Sequence, residues 1–111
     1  MKPMLRDAHG PLLRAVARTM QAGEDRQLPM MTIESVACHD WASATFVGQR
    51  HVIALCLTGA DAADAATRVA AQIGEIDIPL AGHVVADIAV VRIETTVAGV
   101  SVVVEALTLV D

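Results

Sequence analysis

Between residues 81 and 110 the chain reads AGHVVADIAVVRIETTVAGVSVVVEALTLV, and apolar side chains fill nearly every position. A strand wetted on one side alternates apolar with polar residues, so continuous apolarity implies a sheet covered on both faces. The segment reads as two long strands joined by a turn at Gly99. Pairing odd positions with odd ones segregates the polar groups best, because a one-residue slip exchanges the two faces. One face then carries Val84, Ala86, Ile88 and Val90 with Val100, Val102, Val104 and Ala106, and is expected to lie under the helices. The other face carries His83, Val85, Asp87, Ala89, Val91 and Ile93 with Ser101, Val103, Glu105, Leu107 and Leu109.

Helical spacing appears twice upstream. Gly10 and Pro11 open the first helix, with Pro at a position where its missing N–H costs nothing, and Leu12, Leu13, Val16 and Met20 form its apolar stripe before Gly23 stops it. GADAADAATRVAAQIG is the second helix. Asp61 stands at its N-cap, Asp64 lies in the favourable first turn, and Ala62, Ala65, Ala66, Val69 and Ile73 form the stripe that packs. Between the helices, residues 23–29 form a polar loop and residues 30–40 a first strand of irregular period. Residues 41–47 and 50–57 read as a hairpin around Gly48 and Gln49, since Gly at the first position of a two-residue loop suits a type II′ turn. That turn would set Val47 against Arg50, Phe46 against His51, Ala44 against Ile53 and Ala42 against Leu55.

The predicted order is α-β-β-β-α-β-β. This is an α+β, two-layer domain, with two helices packed on one face of a largely antiparallel sheet of about five strands. Residues 1–9 are expected to be a flexible tail and residues 10–111 a single domain. Two helices cover one side of such a sheet, so the apolar second side calls for a partner, most simply a second copy of the chain.

Composition narrows the functional classes. Apolar residues make up 54% of the chain and charged residues 19%, which is a globular balance. Charges interrupt every apolar run before the roughly 18 residues that a membrane helix needs, and the charged start lacks the apolar core of a signal peptide. A soluble, cytoplasmic protein is expected. A net charge of −5, with eight Lys and Arg residues that form no run, argues against nucleic acid as a partner. Two cysteines, Cys38 and Cys56, are too few for a disulfide framework.

Candidate chemistry is sparse. Asp87 sits inside HVVADIAVV, where a carboxylate must be paired, solvated or protonated, and Glu105 shares its predicted face as a potential acid and base partner. His83 lies on that face too, roughly 13 Å along the strand from Asp87. These three are the candidate catalytic residues. Trp41 and Arg50, on the mixed face of the first hairpin, form the candidate ligand or interface pair. His39, His51 and His83 with Asp40 are residue types that suit zinc or iron, but their spacing matches no compact motif, so no metal site and no cofactor are expected. Cys38 and Cys56 read as buried small hydrophobes.

The run IPLAGHVVADIAVV resembles segments of hotdog-fold thioesterases and dehydratases, where a Gly, a His or an Asp beside an apolar run contributes to the site. The likeness covers about fifteen residues, and the element order departs from that family, which places one long helix after its first strand. Dimeric ferredoxin-like proteins are a comparable architectural likeness. Taken together, these features describe a homo-oligomeric protein, most simply a dimer, associating through its sheet, with a role that is non-catalytic or not specified by the sequence. The alternative is a small enzyme or ligand-binding protein with a pocket between subunits.

Overall fold

The computed structural model describes residues 8–21 and 30–111; the predicted tail up to Asp7, the stop at Gly23 and the predicted loop lie outside them. The elements are α1 (His9–Gln21), β1 (Met30–Ala42), β2 (Val47–Thr58), α2 (Ala62–Gln72) with a short 3-10 turn (Ile73–Glu75), β3 (His83–Thr96) and β4 (Gly99–Val110). Over the described residues the chain is α+β, with one antiparallel sheet of four strands in the order β1-β2-β4-β3. Because β4 lies between β2 and β3, those two strands run parallel, and α2 bridges them across it.

Both helical stripes pack as their spacing predicts. Leu12, Val16 and Met20 of α1 and Ala62, Ala65, Ala66 and Val69 of α2 join Ile73 in one buried cluster with Ile53, Leu55, Leu57, Val100, Val102 and Val104. Both helices therefore lie on one face of the sheet. Small side chains on α2 let its backbone lie close to the strands, and Ala costs least in helix propensity. The Asp61 side chain makes no capping hydrogen bond, so α2 rests on packing.

The first hairpin departs from the expected one, and four strands result instead of five. The chain turns at residues 43–46, and Gly48 lies inside β2. Ser43 builds the turn: its Oγ accepts from the Thr45 amide at 3.3 Å and the Phe46 amide at 3.1 Å, while its own amide donates to the Phe46 carbonyl at 2.8 Å. Gly48 serves a different need. A Cβ there would stand 1.9 Å from the Thr108 carbonyl oxygen, so glycine permits β4 to approach. The pairs become Trp41 with Gly48, His39 with Arg50, Cys38 with His51 and Val36 with Ile53. Ala44 and Phe46, expected in the core, are exposed turn residues.

The second hairpin obeys the predicted pairing only at its centre, where Ile88 faces Ala106 and Val90 faces Val104. Bulges at Ala86 and Val91 shift the register on either side. Each bulge inserts one residue and so exchanges the faces of everything beyond it. His83 and Val85 consequently turn toward the helices, with His83 buried, and Val84 turns outward at 48% exposed. Ile93 likewise crosses to the helix side, opposite Val102.

Strands of 12 to 14 residues outrun the helices, which have 13 and 11. At about 3.3 Å per strand residue and 1.5 Å per helix residue, the helices cover less than half of the sheet's length. Ile33, Val36 and Ile93 lie beyond their reach, and each remains between 41% and 44% exposed on the helix side.

Candidate functional site

Register decides which side chains meet. With the turn at residues 43–46, Cys38 and His51 become direct cross-strand partners on the helix side of the sheet. Above them stands His9, the first residue of α1. The start of that helix is tied to the sheet by the Ala8 amide, which donates to Gln49 Oε1 at 3.4 Å. Three elements therefore deliver two imidazoles and one thiol to one place.

The cluster is closely organised. His51 is fully buried, and its ring lies nearly parallel to that of His9, with centroids 5.1 Å apart and planes at 6°. The two Nδ1 atoms are 2.9 Å apart. On the far side of the ring, His51 Nε2 lies 2.9 Å from Oγ1 of Thr108, which is also fully buried. The single Thr108 hydroxyl proton goes to the Gln49 carbonyl at 3.5 Å, so the hydroxyl accepts from His51 Nε2–H. His51 Nδ1 then carries the lone pair, and His9 Nδ1–H donates to it. His9, Cys38 and His51 offer one ligand atom each, all within 4.8 Å of one another.

The residues singled out from the sequence are dispersed. His83 is buried at the start of β3, where its Nδ1–H donates to the Ala81 carbonyl at 3.2 Å. Asp87 and Glu105 lie on the opposite, helix-free face, one beside Leu107 and the other between Val52 and Ala89, and both are exposed. Solvent thus answers the problem that their apolar surroundings raised. His83 and Asp87 do line one open groove of about 580 Å³ at the β3 edge, with Pro79 and Leu80, while Glu105 stands apart from it. Trp41 and Arg50 share the helix-free face as expected, with Trp41 opposite Gly48 and Arg50 between His39 and Leu107.

Of the histidines considered as ligands, His51 meets further donors. His39 faces the other side of the sheet, and His83 lies at the far edge strand. Sequence reasoning does not reach His9, which falls in the predicted tail, or Cys38, whose strand context suits a small hydrophobe. The available signal was the ASAT stretch before Phe46: a Ser followed by small residues marks a side-chain-closed turn, and that turn sets Cys38 opposite His51.

The helix-free face presents half-buried Trp41, Val52, Ala54, Val103, Leu107 and Leu109, with exposed Arg50 and Glu105 among them on the central strands and further ionisable groups on β3. Among these, Arg92 and Glu94 form an ion pair at 4.0 Å with side chains 68% and 60% exposed, a geometry that contributes little to stability. Among the described residues no helix is long and apolar enough to cross a membrane. Comparison with protein-family models, curated proteins and solved structures returned no significant match.

Proposed function

We propose that this protein is a cytoplasmic homodimer whose helix-free sheet face is the self-association surface, and that its role is one of assembly rather than catalysis. The observation that carries this reading is the set of apolar residues Val52, Ala54, Val103, Leu107 and Leu109 along the two central strands, on the face opposite both helices of the described residues. Four strands at about 4.8 Å spacing and twelve residues at about 3.3 Å give a face of roughly 19 by 40 Å, or about 760 Å². A standard interface takes about 800 Å² from each partner, so one copy of this face matches what a stable dimer needs.

Charge supports a second copy as the occupant. The face carries Arg50 and Arg92 together with Asp87, Glu94 and Glu105, so both signs are present. A two-fold axis brings a surface against itself, which lets Arg50 of one copy meet a carboxylate of the other. Half-buried apolar side chains interspersed with charges of both signs, and a Trp at one corner, suit a protein interface. Two cysteines with no disulfide between them agree with a reducing compartment.

Val103→Glu tests the reading, because it replaces an apolar member of that set, opposite Ala54, with a charge on a side chain that is only half-buried in the single chain. Sedimentation should show a dimer for the wild type and a monomer of unchanged circular dichroism for the variant. Equal masses for the two proteins would contradict it.

A further inference from the structure

We propose that His9, Cys38 and His51 form a binding site for a zinc-class transition-metal ion, held by two imidazole nitrogens and one thiolate. This is independent of the dimer reading, since the cluster lies on the opposite side of the sheet from the helix-free face.

Convergence is the first argument. Residues 9, 38 and 51 come from a helix and two strands, yet their ligand atoms gather within 4.8 Å. A tetrahedral site with bonds of about 2.0–2.3 Å needs donors spaced by roughly 3.3–3.6 Å. The nitrogens at 2.9 Å must part slightly and the outer donors must close by about an ångström, which lies within side-chain adjustment. Elsewhere the covered side of β2 carries Ile53, Leu55 and Leu57, so a buried imidazole facing a thiol breaks its pattern.

Orientation is the second argument. Metal-binding histidines characteristically engage their other ring nitrogen with a fixed partner, which sets the tautomer and aims the lone pair. Thr108 does this for His51. It accepts from Nε2–H, is itself held by the Gln49 carbonyl, and leaves Nδ1 directed at His9. Gln49 also anchors the helix start that presents His9, so one residue positions two of the three donors.

Donor chemistry identifies the class of ion. Nitrogen and sulfur exclude calcium and magnesium, which take oxygen ligands, and suit zinc or its spectroscopic substitute cobalt. Binding deprotonates the Cys38 thiol, and the His9 proton moves from Nδ1 to Nε2, so one proton per ion leaves to solvent. Three protein ligands leave a fourth position for water or a small anionic ligand, as in zinc sites that are not closed.

The test is titration of tag-free, metal-stripped protein with Co(II) alone, followed by displacement with Zn(II). The expected result is one ion per chain, with the intense visible bands of tetrahedral cobalt and a thiolate-to-metal charge-transfer band. Cys38→Ser should abolish that band and weaken binding by more than about 100-fold, Thr108→Val should weaken it by about 10- to 100-fold, and Cys56→Ser should leave it unchanged. Alkylation of the wild type keeps the proposal testable if the Cys38 variant does not fold: saturating zinc should protect Cys38. Weak octahedral spectra, a charge-transfer band that survives in Cys38→Ser, or Cys38 alkylated equally fast with and without zinc would overturn the site.

Discussion

Glycine 48 shows how much one residue's role depends on its neighbours. In the sequence it stands before Gln49 between two β-rich runs, and turn chemistry is the natural reading. In the fold it lies under the β4 backbone, where an added Cβ would stand 1.9 Å from the Thr108 carbonyl oxygen. Gly48→Ala must therefore push β4 away or bend β2, and overpacking of this kind costs about 1–3 kcal/mol. Urea denaturation should place it at the upper end of that range, and the Thr108 contact to His51 should loosen with it. Thr108→Val removes the acceptor of a fully buried imidazole N–H while keeping the shape of the side chain. Leaving such a donor unsatisfied costs about 1–3 kcal/mol, so the same measurement should register a loss of that size. Neither partnership follows from local sequence, because both join residues more than fifty positions apart.

Elements differ in how openly the sequence declares them. The α2 stripe from Ala62 to Ile73 was legible because helix period and burial agree at every position, and the α1 stripe of Leu12, Val16 and Met20 was legible for the same reason. Strand faces were legible only between irregularities. Val, Ala and Ile occupy both sides of β3, so nothing in its composition marks Ala86 or Val91 as bulges, and each bulge reverses the face of every residue beyond it. A paired substitution reads this directly. Val85→Glu puts a carboxylate on the helix side and should cost about 2–4 kcal/mol in urea denaturation, whereas Val84→Glu enters solvent and should cost less than about 0.5 kcal/mol. A strand with a single alternation would give the opposite ranking. The candidate metal centre was hidden by the same physics: Cys38 and His51 meet only in the register that the Ser43 turn imposes, and His9 reaches them only through the docking of α1.

At the scale of the molecule, the decisive mismatch is between long strands and short helices. The apolar content of the C-terminal hairpin already implied a sheet that two helices could not enclose, and the described chain extends 44 Å along one axis and about 25 Å along the others. One face holds the core and the His9–Cys38–His51 cluster, while the other offers apolar side chains interspersed with charges of both signs. Self-association of that second face is the central claim. Light scattering coupled to size-exclusion chromatography at micromolar concentration measures it most directly. The account predicts twice the 11.6 kDa chain mass for the wild type, falling to the chain mass when Leu107→Glu replaces one of those apolar side chains with a charge next to Asp87. A wild-type mass of 11.6 kDa across that range would contradict it.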